Sequence, residues 1–238
     1  MKKAIVVGAS SGIGKELAKI LVSNNYKTGI VGRRTNLILQ LKDENPEMYV
    51  AKSIDITHTG NLAKNLEELT LELGGFDLMV LCAGNGELNE NLDNVIEQAI
   101  IDINVTAWTF IANWSFNYFN KQKHGHFISI SSIGGLRGNK VAPSYNASKA
   151  YQINYTEGLR QKANYSKLPI YVTDVRPGLV NTAMAKTNIK FWIVSPEKAA
   201  LQIYQAIEEK RKVIYISKRW RLFAWILKVI PTWIYSRL

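Results

Sequence analysis

Residues 3–14 read KAIVVGASSGIG, a short apolar run that ends in a glycine-rich turn. The run Lys3–Val7 is too apolar for a half-exposed strand, so it predicts a strand that is buried on both faces. The turn opens directly into a helical pattern at Ile13–Asn24. Such a turn lets the backbone approach a pyrophosphate, whose charge is stabilised by free N–H groups at the helix N-terminus. A plain tight turn is the alternative. We expect a dinucleotide phosphate to bind at Gly8, Ser10, Ser11, Gly12, Ile13 and Gly14.

The remainder of the chain alternates short apolar runs with longer segments of helical periodicity. Strands are predicted at Lys3–Val7, Thr28–Val31, Tyr49–Ser53, Leu78–Leu81, His126–Ile130, Ile170–Val175 and Val213–Ile216. Helices are predicted at Ile13–Asn24, Asn36–Glu44, Gly60–Leu73, Asn94–Asn120, Ser144–Tyr165 and Pro196–Glu209. This alternation predicts an α/β fold, a doubly wound and mostly parallel seven-stranded sheet with helices on both faces. Because the sequence has no Gly/Ser-rich linker, we assign residues 1–217 to one domain and residues 218–238 to a C-terminal tail.

The composition is that of a globular protein with a full apolar core. Of the 238 residues 47% are hydrophobic, and the formal net charge is +11. The single cysteine, Cys82, excludes an intrachain disulfide and fits a reducing compartment, so we expect a cytoplasmic protein. No apolar run reaches the roughly 18 residues that a membrane-spanning helix needs. The composition therefore argues against a secreted, disulfide-stabilised or polytopic membrane protein.

Two arginines follow the second predicted strand. Arg33 and Arg34 stand where dinucleotide-binding folds place the group that reads the adenosine ribose. An acidic residue there binds the ribose hydroxyls, whereas the planar fork of arginine accommodates the 2′-phosphate of NADP. No acidic residue lies between Lys27 and Lys42. The pattern predicts NADP(H) as the cofactor, and a solvated basic loop is the alternative.

A second group of polar residues suits proton transfer. Tyr145 and Lys149 are four residues apart at the start of a predicted helix, which puts both on one helix face. A tyrosine titrates near ~10 in water, and a nearby ammonium lowers that pKa and creates a usable general acid or base. Ser132 follows a strand, at the edge where α/β sheets bind ligands, and its hydroxyl can donate to a carbonyl. Asn104 lies inside a helical segment, where its amide would serve a proton relay or, alternatively, a helix–helix hydrogen bond.

Together these motifs resemble the short-chain dehydrogenase/reductase family over about residues 3–217. The matching motifs, in chain order, are Gly8–Gly14, Asn104, Ser132, Tyr145-x-x-x-Lys149 and Pro177-Gly178-Leu179-Val180-Asn181-Thr182. The resemblance implies a Rossmann fold. It also implies an NADP(H)-dependent oxidoreductase that transfers a hydride between the nicotinamide and a ketone or secondary alcohol.

The resemblance implies a role for each matching residue. Tyr145 would protonate the carbonyl oxygen as hydride arrives, and Lys149 would lower the pKa of the tyrosine and hold the nicotinamide ribose. Ser132 would position the carbonyl, and Asn104 would hold the water that connects Lys149 to solvent. Asp55 would touch the adenine. The other cofactor contacts would come from Ile56, Ala83, Gly84, Pro177, Gly178, Val180 and, at the nicotinamide carboxamide, Thr182.

The chain departs from the family pattern at two places. Val7 stands where the family usually has Thr, and Leu81-Cys82-Ala83-Gly84 stands in place of Asn-Asn-Ala-Gly. The missing amide side chains affect strand-linking hydrogen bonds rather than the chemistry. No histidine is paired with Cys82, so we do not expect a catalytic thiol. His124 and His126 have no evident third ligand, so we expect no metal site.

The tail reads KRWRLFAWILKVIPTWIYSRL and predicts a helix at Lys218–Ile230, which Pro231 ends, followed by a second short helix. The last 29 residues hold eight basic and no acidic residues. In the helix a narrow polar stripe would be formed by Arg221, Ala224 and Lys228, with Trp220, Phe223, Leu227 and Ile230 largely opposite. Basic residues interleaved with Trp and Tyr suit anionic headgroups, so we expect peripheral contact at the inner face of a membrane. Packing on its own domain or on a partner subunit is the alternative.

Segments 85–93, 133–142 and 183–195 are expected to surround a small-molecule carbonyl or alcohol substrate. The last segment contains Phe191-Trp192-Ile193-Val194, an apolar run that predicts a lid over a hydrophobic substrate. Ordinary packing is the alternative. With the tail, the lid favours a lipid-like ketone or alcohol.

Two other functions fit parts of the sequence. A nonenzymatic NADP-sensing module, recruited to a membrane by its tail, would not need the intact set of Ser132, Tyr145 and Lys149. Nucleic-acid binding would suit the charge, but residues 1–209 carry only +3 and show no recognition motif, so we expect no nucleic-acid partner. The family resemblance further implies a homodimer or homotetramer formed through the helices at 94–120 and 144–164.

Overall fold

A computed structural model describes residues 1–182 and 192–237. Most of the expected substrate segment 183–195, including Phe191 of the predicted lid, lies outside the described residues. Within the described residues the chain forms one sheet, helices on both of its faces, and a helical tail.

The sheet confirms the predicted doubly wound topology. In the described part of the chain seven strands, all parallel, lie in the order β3-β2-β1-β4-β5-β6-β7. The strand order reverses between β1 and β4, and the crevice at such a switch point is where α/β sheets bind ligands. The strands are β1 (Lys2–Val7), β2 (Tyr26–Gly32), β3 (Tyr49–Ser53), β4 (Leu78–Leu81), β5 (Gly125–Ile130), β6 (Ile170–Pro177) and β7 (Val213–Ile216).

The helices fall close to their predicted bounds. The predicted helix 94–120 is continuous, but a π-helical turn at Asp102–Ala107 divides it into α4 and α5. A 3-10 turn at Ile133–Leu136 follows β5. The helices are α1 (Gly12–Ser23), α2 (Thr35–Asp43), α3 (Thr59–Leu73), α4 (Asn94–Ile101), α5 (Trp108–Gln122), α6 (Pro143–Ser166), α7 (Pro196–Glu208), α8 (Lys218–Val229) and α9 (Thr232–Tyr235).

The central strand β1 contributes to two apolar cores, one on each face of the sheet. Ala4 and Val6 belong to the core that includes α1 and α7, whereas Ile5 and Val7 belong to the core that includes α3 and α5. Successive side chains of a strand point to opposite faces, so a strand covered on both sides must be apolar throughout. This burial is the physical reason that the opening apolar run predicted a central parallel strand.

The helix Asn94–Gln122 is long and apolar enough to cross a membrane by length and composition, with a mean hydropathy of 1.3. One face of this helix packs on the sheet. Trp108 and Phe119 are fully buried against the sheet, and Asn104 points into the protein. We therefore read this segment as part of the fold.

The tail packs on its own domain through one face of α8, the alternative given above. Trp220 and Ala224 are buried there, and α8 contacts β7 and the 3-10 turn. The interpretation of Ala224 as part of a polar stripe is therefore wrong. Ala224 lies one helical turn after Trp220, on the same face, and its small side chain lets the helix approach the domain closely.

Candidate active site

The glycine turn passes directly beneath the end of β4. Gly8 has φ +95°, and a Cβ atom there would lie 2.6 Å from the backbone nitrogen of Ala83. The N–H groups of Cys82 and Ala83 both donate to the Val7 carbonyl at 2.9 Å. Only glycine combines this backbone conformation with this close approach. The turn and the Ala83-Gly84 segment thus form one side of a cleft at the switch point.

Arg34 lies across the turn that opens α1. Its guanidinium donates to the hydroxyls of Ser10 at 2.7 Å and Ser11 at 2.6 Å. The helix N-terminus at Gly12 adds backbone N–H groups and the positive end of the helix dipole. A Cβ atom at Gly12 would lie 3.1 Å from the methyl group of Thr182, so the turn also borders the far side of the cleft. This narrow, positively charged cradle fits a pyrophosphate and a neighbouring phosphate.

Arg33 and Asp55 lie together at the ends of β2 and β3. The guanidinium of Arg33 is 4.0 Å from a carboxylate oxygen of Asp55. Burial alone would raise the pKa of Asp55, but hydrogen bonds from Thr57 and the charge of Arg33 hold it below its ordinary value. Asp55 is therefore ionised at neutral pH, and Ile56 beside it is buried. Both lie on the arginine side of the cleft, where the adenosine part of a dinucleotide would bind.

The acid–base residues converge after β5. Ser132 caps the 3-10 turn, and its hydroxyl accepts from the Gly134 N–H at 3.0 Å. It is also hydrogen-bonded to the hydroxyl of Tyr145. The ammonium of Lys149 lies 5.9 Å from the centroid of the Tyr145 ring, one turn further along α6. The structure thus brings together the three side chains that the sequence singled out.

Burial is the main influence on the pKa values of Tyr145 and Lys149. It raises the pKa of Tyr145 above its ordinary value, and the hydrogen bond with Ser132 opposes that shift. The sequence predicted a net lowering by Lys149, but the buried ring makes the charged phenolate costly. Burial also lowers the pKa of Lys149 to about 8, against the effects of Cys82 and Asp174. At neutral pH the tyrosine is therefore protonated and most of the lysine is charged.

Asn104 is turned inward by the π-helical turn and closes the cleft from below. Its side-chain oxygen accepts from the Asn85 N–H at 2.8 Å. Its side-chain nitrogen donates to the Asn85 carbonyl at 2.7 Å and to the Ser148 hydroxyl at 3.0 Å. The bond to Ser148 on α6 is the helix–helix contact that the sequence offered as one interpretation. The role of Asn104 in a proton relay stays a prediction.

Gln152 is the residue at this site that the sequence interpretation missed. Its side chain is fully buried beside Lys149, three residues further along α6. A polar residue seven positions after Tyr145 on the inward face of a helix was the available signal. A second missed group is the buried Ser131, Asp174 and Arg176 network beneath Ser132.

The stretch 177–182 forms the wall opposite the glycine turn. Gly178 lies directly under the indole of Trp220, where a Cβ atom would lie only 2.3 Å from the ring. Val180 pairs with Val194 in an isolated bridge, which fixes the path of the chain before Thr182. Gly84, on the other wall, leaves room beside Asn104 and Lys149, since a Cβ atom there would lie 3.3 Å and 3.5 Å from their polar atoms.

Among the described residues, Cys82, His124 and His126 belong to no cluster that could act as a nucleophile with its base or hold a metal ion. Burial raises the pKa of the Cys82 thiol to about 11, so it is neutral at physiological pH. His126 is buried and hydrogen-bonded to Thr173 at 2.8 Å, whereas His124 lies near Asp77 at the surface. The described residues contain no group of three or more His, Cys, Asp or Glu arranged to hold a metal ion.

The comparison of sequences gives a family match. The family model for short chain dehydrogenase matches residues 2–191. A protein of Myxococcus xanthus, named as an uncharacterized oxidoreductase, is 30% identical over 236 residues, which cover 97% of this chain and 90% of that protein.

Solved structures share the fold at low sequence identity. A variant of the actinorhodin polyketide ketoreductase with NADPH has a TM-score of 0.81 at 20% identity, covering 90% of this chain and 95% of the other. The 3-ketoacyl-(acyl-carrier-protein) reductase of Brucella melitensis complexed with NADH has a TM-score of 0.82 at 20% identity, covering 90% and 96%. One of these relatives is named with NADPH and the other with NADH.

Proposed function

Since this chain belongs to the short-chain dehydrogenase family, we propose that it is an NADP(H)-dependent reductase of a ketone, with Tyr145 as the general acid. The observation that carries the proposal is the cluster of Ser132, Tyr145 and Lys149 at the end of β5, beside a cradle that fits a dinucleotide. The reverse reaction, oxidation of the matching secondary alcohol, uses the same residues.

The protonation states suit carbonyl reduction. Because burial raises the pKa of Tyr145, its hydroxyl keeps a proton that it can donate to the substrate oxygen. Donation leaves a phenolate, which the charged ammonium of Lys149 and the hydroxyl of Ser132 stabilise. Ser132 also holds the carbonyl oxygen near the tyrosine. The nicotinamide, when bound, supplies the hydride to the carbonyl carbon.

NADP(H) is proposed over NAD(H) because of the charge at the adenosine end of the cleft. Arg34 already donates hydrogen bonds to two serine hydroxyls across the turn, and Arg33 stands next to it at the end of β2. A 2′-phosphate would bring the negative charge that these two guanidinium groups favour. The carboxylate of Asp55 accepts a hydrogen bond from Thr57 and faces Arg33. The guanidinium of Arg34 is bonded instead to the hydroxyls of Ser10 and Ser11.

A lipid-like substrate is proposed because a cluster of aromatic rings packs against the 177–182 wall. Trp220 contacts Trp192 and Phe223 edge-on, with ring centroids 5.5 Å and 5.3 Å apart. The same indole covers Gly178, where the nicotinamide end of the cofactor would bind. An acyl or polycyclic apolar group could pack against this aromatic cluster while its carbonyl reached Tyr145.

The tail is proposed to contact an anionic membrane surface. Its α8 face opposite Trp220 leaves Leu222, Trp225 and Val229 exposed, and Trp233 of α9 is exposed as well. Four exposed residues with this spacing form an apolar surface, and the tail's many cations complement lipid phosphates. The protein would then take its substrate from the inner face of the membrane.

A Tyr145→Phe variant tests the proposed function. Without the hydroxyl no proton reaches the carbonyl oxygen, so turnover should fall by roughly 10²–10⁴-fold. The measurement is NADPH absorbance with a panel of short, long-chain and cyclic ketones. NADPH should still quench the tryptophan fluorescence of the variant, since the phosphate cradle is untouched.

The matched control is Tyr151→Phe, on the same helix. Tyr151 shares its hydrogen bond with Thr109, away from Ser132, so its loss should leave turnover near the wild-type value. Unchanged turnover in Tyr145→Phe would contradict the assignment of Tyr145 as the general acid. NADPH binding by the wild type without turnover of any ketone or alcohol would instead favour the nonenzymatic nucleotide-sensing alternative.

A further inference from the structure

Gln152 joins two groups of the proposed site that lie on different helical segments, Lys149 on α6 and Asn104 in the π-helical turn. Its side-chain oxygen accepts from the ammonium of Lys149 at 2.9 Å. Its side-chain nitrogen donates to the backbone carbonyl of Asn104 at 2.8 Å. The side chain is fully buried, and the function proposed above gives it no role.

The hydrogen bonds fix which end of the carboxamide faces Lys149. A backbone carbonyl can only accept, so the end of Gln152 that faces Asn104 must be the NH₂ group. The oxygen then faces the ammonium. Lys149 has three N–H donors, of which one goes to Gln152 and one to the Ile130 carbonyl at 3.0 Å. The third is the donor with which Lys149 would hold the nicotinamide ribose.

The other titratable groups around Lys149 act on its charge through space, and no hydrogen bond to its ammonium is described for them. Asp174 on β6 is buried nearby, but it is paired with Arg176 at 2.6 Å and accepts from Ser131. Cys82 after β4 is a neutral thiol, because burial raises its pKa to about 11. Tyr145 on α6 is protonated at neutral pH. Among the described residues, the side chain that accepts a hydrogen bond from the ammonium is therefore that of Gln152.

We propose that Gln152 is a positioning residue that holds Lys149 in place and in its charged form by anchoring it to the Asn104 backbone. The inference rests on the proposed function, since it assigns the charge of Lys149 to stabilising the Tyr145 phenolate. It gives Asn104 a role besides the one that the family resemblance implies, because its carbonyl orients the carboxamide.

A Gln152→Met variant removes both hydrogen bonds and keeps a side chain of similar length. Without the acceptor the ammonium is less stable, so the pKa of Lys149 should fall below its present value of about 8 by about one unit. Reduction needs the charged lysine, so its rate should be lost about one pH unit earlier as pH rises.

Two measurements follow this change. The ¹³Cε chemical shift of Lys149, assigned with a Lys149→Arg variant, reports its titration without turnover. The pH profile of kcat for ketone reduction reports the same midpoint in the working enzyme. Gln161→Met is the matched control, because Gln161 lies exposed on the same helix, and it should leave both midpoints at the wild-type value.

A Gln152→Glu variant separates the proposal from a purely structural role. A carboxylate beside the ammonium should move both midpoints upward, opposite to methionine, whereas disturbed packing would lower kcat at every pH in both variants. The proposal is overturned if the Lys149 midpoint is the same in wild type, methionine and glutamate variants. Failure of the proposed function shows instead as turnover by Tyr145→Phe, which leaves the NMR titration as an independent test.

Discussion

At the scale of single residues, the relative position of the acid–base side chains follows from their local spacing, whereas their pKa values depend on the whole fold. Tyr145 and Lys149 share a helix face because they are four residues apart, whatever the rest of the fold does. Their pKa values depend on burial, which raises that of the tyrosine and lowers that of the lysine. Both pKa shifts reflect the free energy that it costs to charge a buried group, and the same burial keeps the proton donor Tyr145 out of bulk water.

Replacing Arg34 by alanine tests the proposed cofactor preference. The guanidinium would contribute charge-assisted hydrogen bonds to a 2′-phosphate, each worth about 1.5–3 kcal/mol. Arg34→Ala should therefore raise KM for NADPH by roughly 10- to 100-fold and leave KM for NADH nearly unchanged. Initial rates with each cofactor measure the ratio.

The control for that variant is Lys64→Ala, which removes an exposed cation from α3. It should leave both KM values within a factor of about two, since charges beyond a Debye length are screened. A wild-type enzyme that prefers NADH would contradict the interpretation of both arginines.

At the scale of elements, α8 has two faces with different partners. The predicted helix 218–230 is confirmed almost residue for residue, and Pro231 follows its end. The sequence could not choose which face meets the domain, because α8 is apolar around most of its circumference. In the structure the face that carries Trp220 and Ala224 packs on the domain, and Leu222, Trp225 and Val229 remain exposed.

Variants of two tryptophans should distinguish the role of the buried face of α8 from that of its exposed face. Trp220 is 5% exposed and rests on Gly178, so Trp220→Ala should release the tail and speed its cleavage by trypsin at least roughly tenfold. Trp225 is 62% exposed, so Trp225→Ser should leave cleavage unchanged. The same serine variant should weaken binding to phosphatidylglycerol vesicles roughly tenfold or more, because a membrane would bury that ring.

Phosphatidylcholine vesicles complete the experiment, since they lack net charge. Weak binding to them and strong binding to the anionic vesicles is the result expected from the tail's charge. Equal binding of wild type and Trp225→Ser to anionic vesicles would contradict the membrane proposal while leaving the packing of Trp220 intact.

At the scale of the whole molecule, we expect assembly through the helices α4, α5 and α6. A groove of about 420 Å³ lies between α5 and α6, lined in part by Phe116 and by Tyr165, which is 92% exposed. Sedimentation velocity should give a multiple of the 26.8 kDa chain mass. Tyr165→Asp should shift the protein toward the monomer, because a carboxylate would be desolvated in the interface.

Leu71→Asp serves as the control for assembly, since Leu71 is an exposed leucine on α3, outside the proposed interface. It should leave the mass unchanged. A wild-type mass of one chain at micromolar concentration would contradict the oligomer proposal.

Global stability should depend on pH through His126. Burial, together with the charge of Lys210, lowers its pKa to about 3, whereas an unfolded histidine titrates near ~6.5. Between these values the unfolded chain binds more protons, so the free energy of unfolding falls as pH decreases through this window. At pH 5.5 the loss should be about 1.4 kcal/mol, measured by urea denaturation against pH 7.5.

The pair of histidines supplies its own control. His126→Gln should remove that part of the pH dependence, since glutamine can donate to Thr173 without titrating. His124→Gln, two residues away and exposed, should retain it. Equal pH dependence in wild type and His126→Gln would show that the loss at low pH comes from other groups.

Much of the fold was predictable because its signals are local. The apolar run Lys3–Val7, the glycine turn after it and the alternation of strands and helices require only neighbouring residues to be read. The set of Ser132, Tyr145 and Lys149 was found in the same way. The conversion of helix 94–120 into two helices joined by a π-helical turn was not predicted, because no Pro or Gly marks it.

By itself the sequence determined the order of elements, the parallel sheet and the identity of the candidate site residues, since spacing and periodicity act along the chain. Only the tertiary structure decided that Gln152 meets the Asn104 carbonyl, that Trp220 covers Gly178, and that burial outweighs the neighbouring charge at Tyr145. The two contacts join segments that are distant in the sequence, and the pKa of Tyr145 depends on how deeply the ring is buried. Distant contacts and burial depth both follow from the packing of the elements, so local sequence patterns do not predict them.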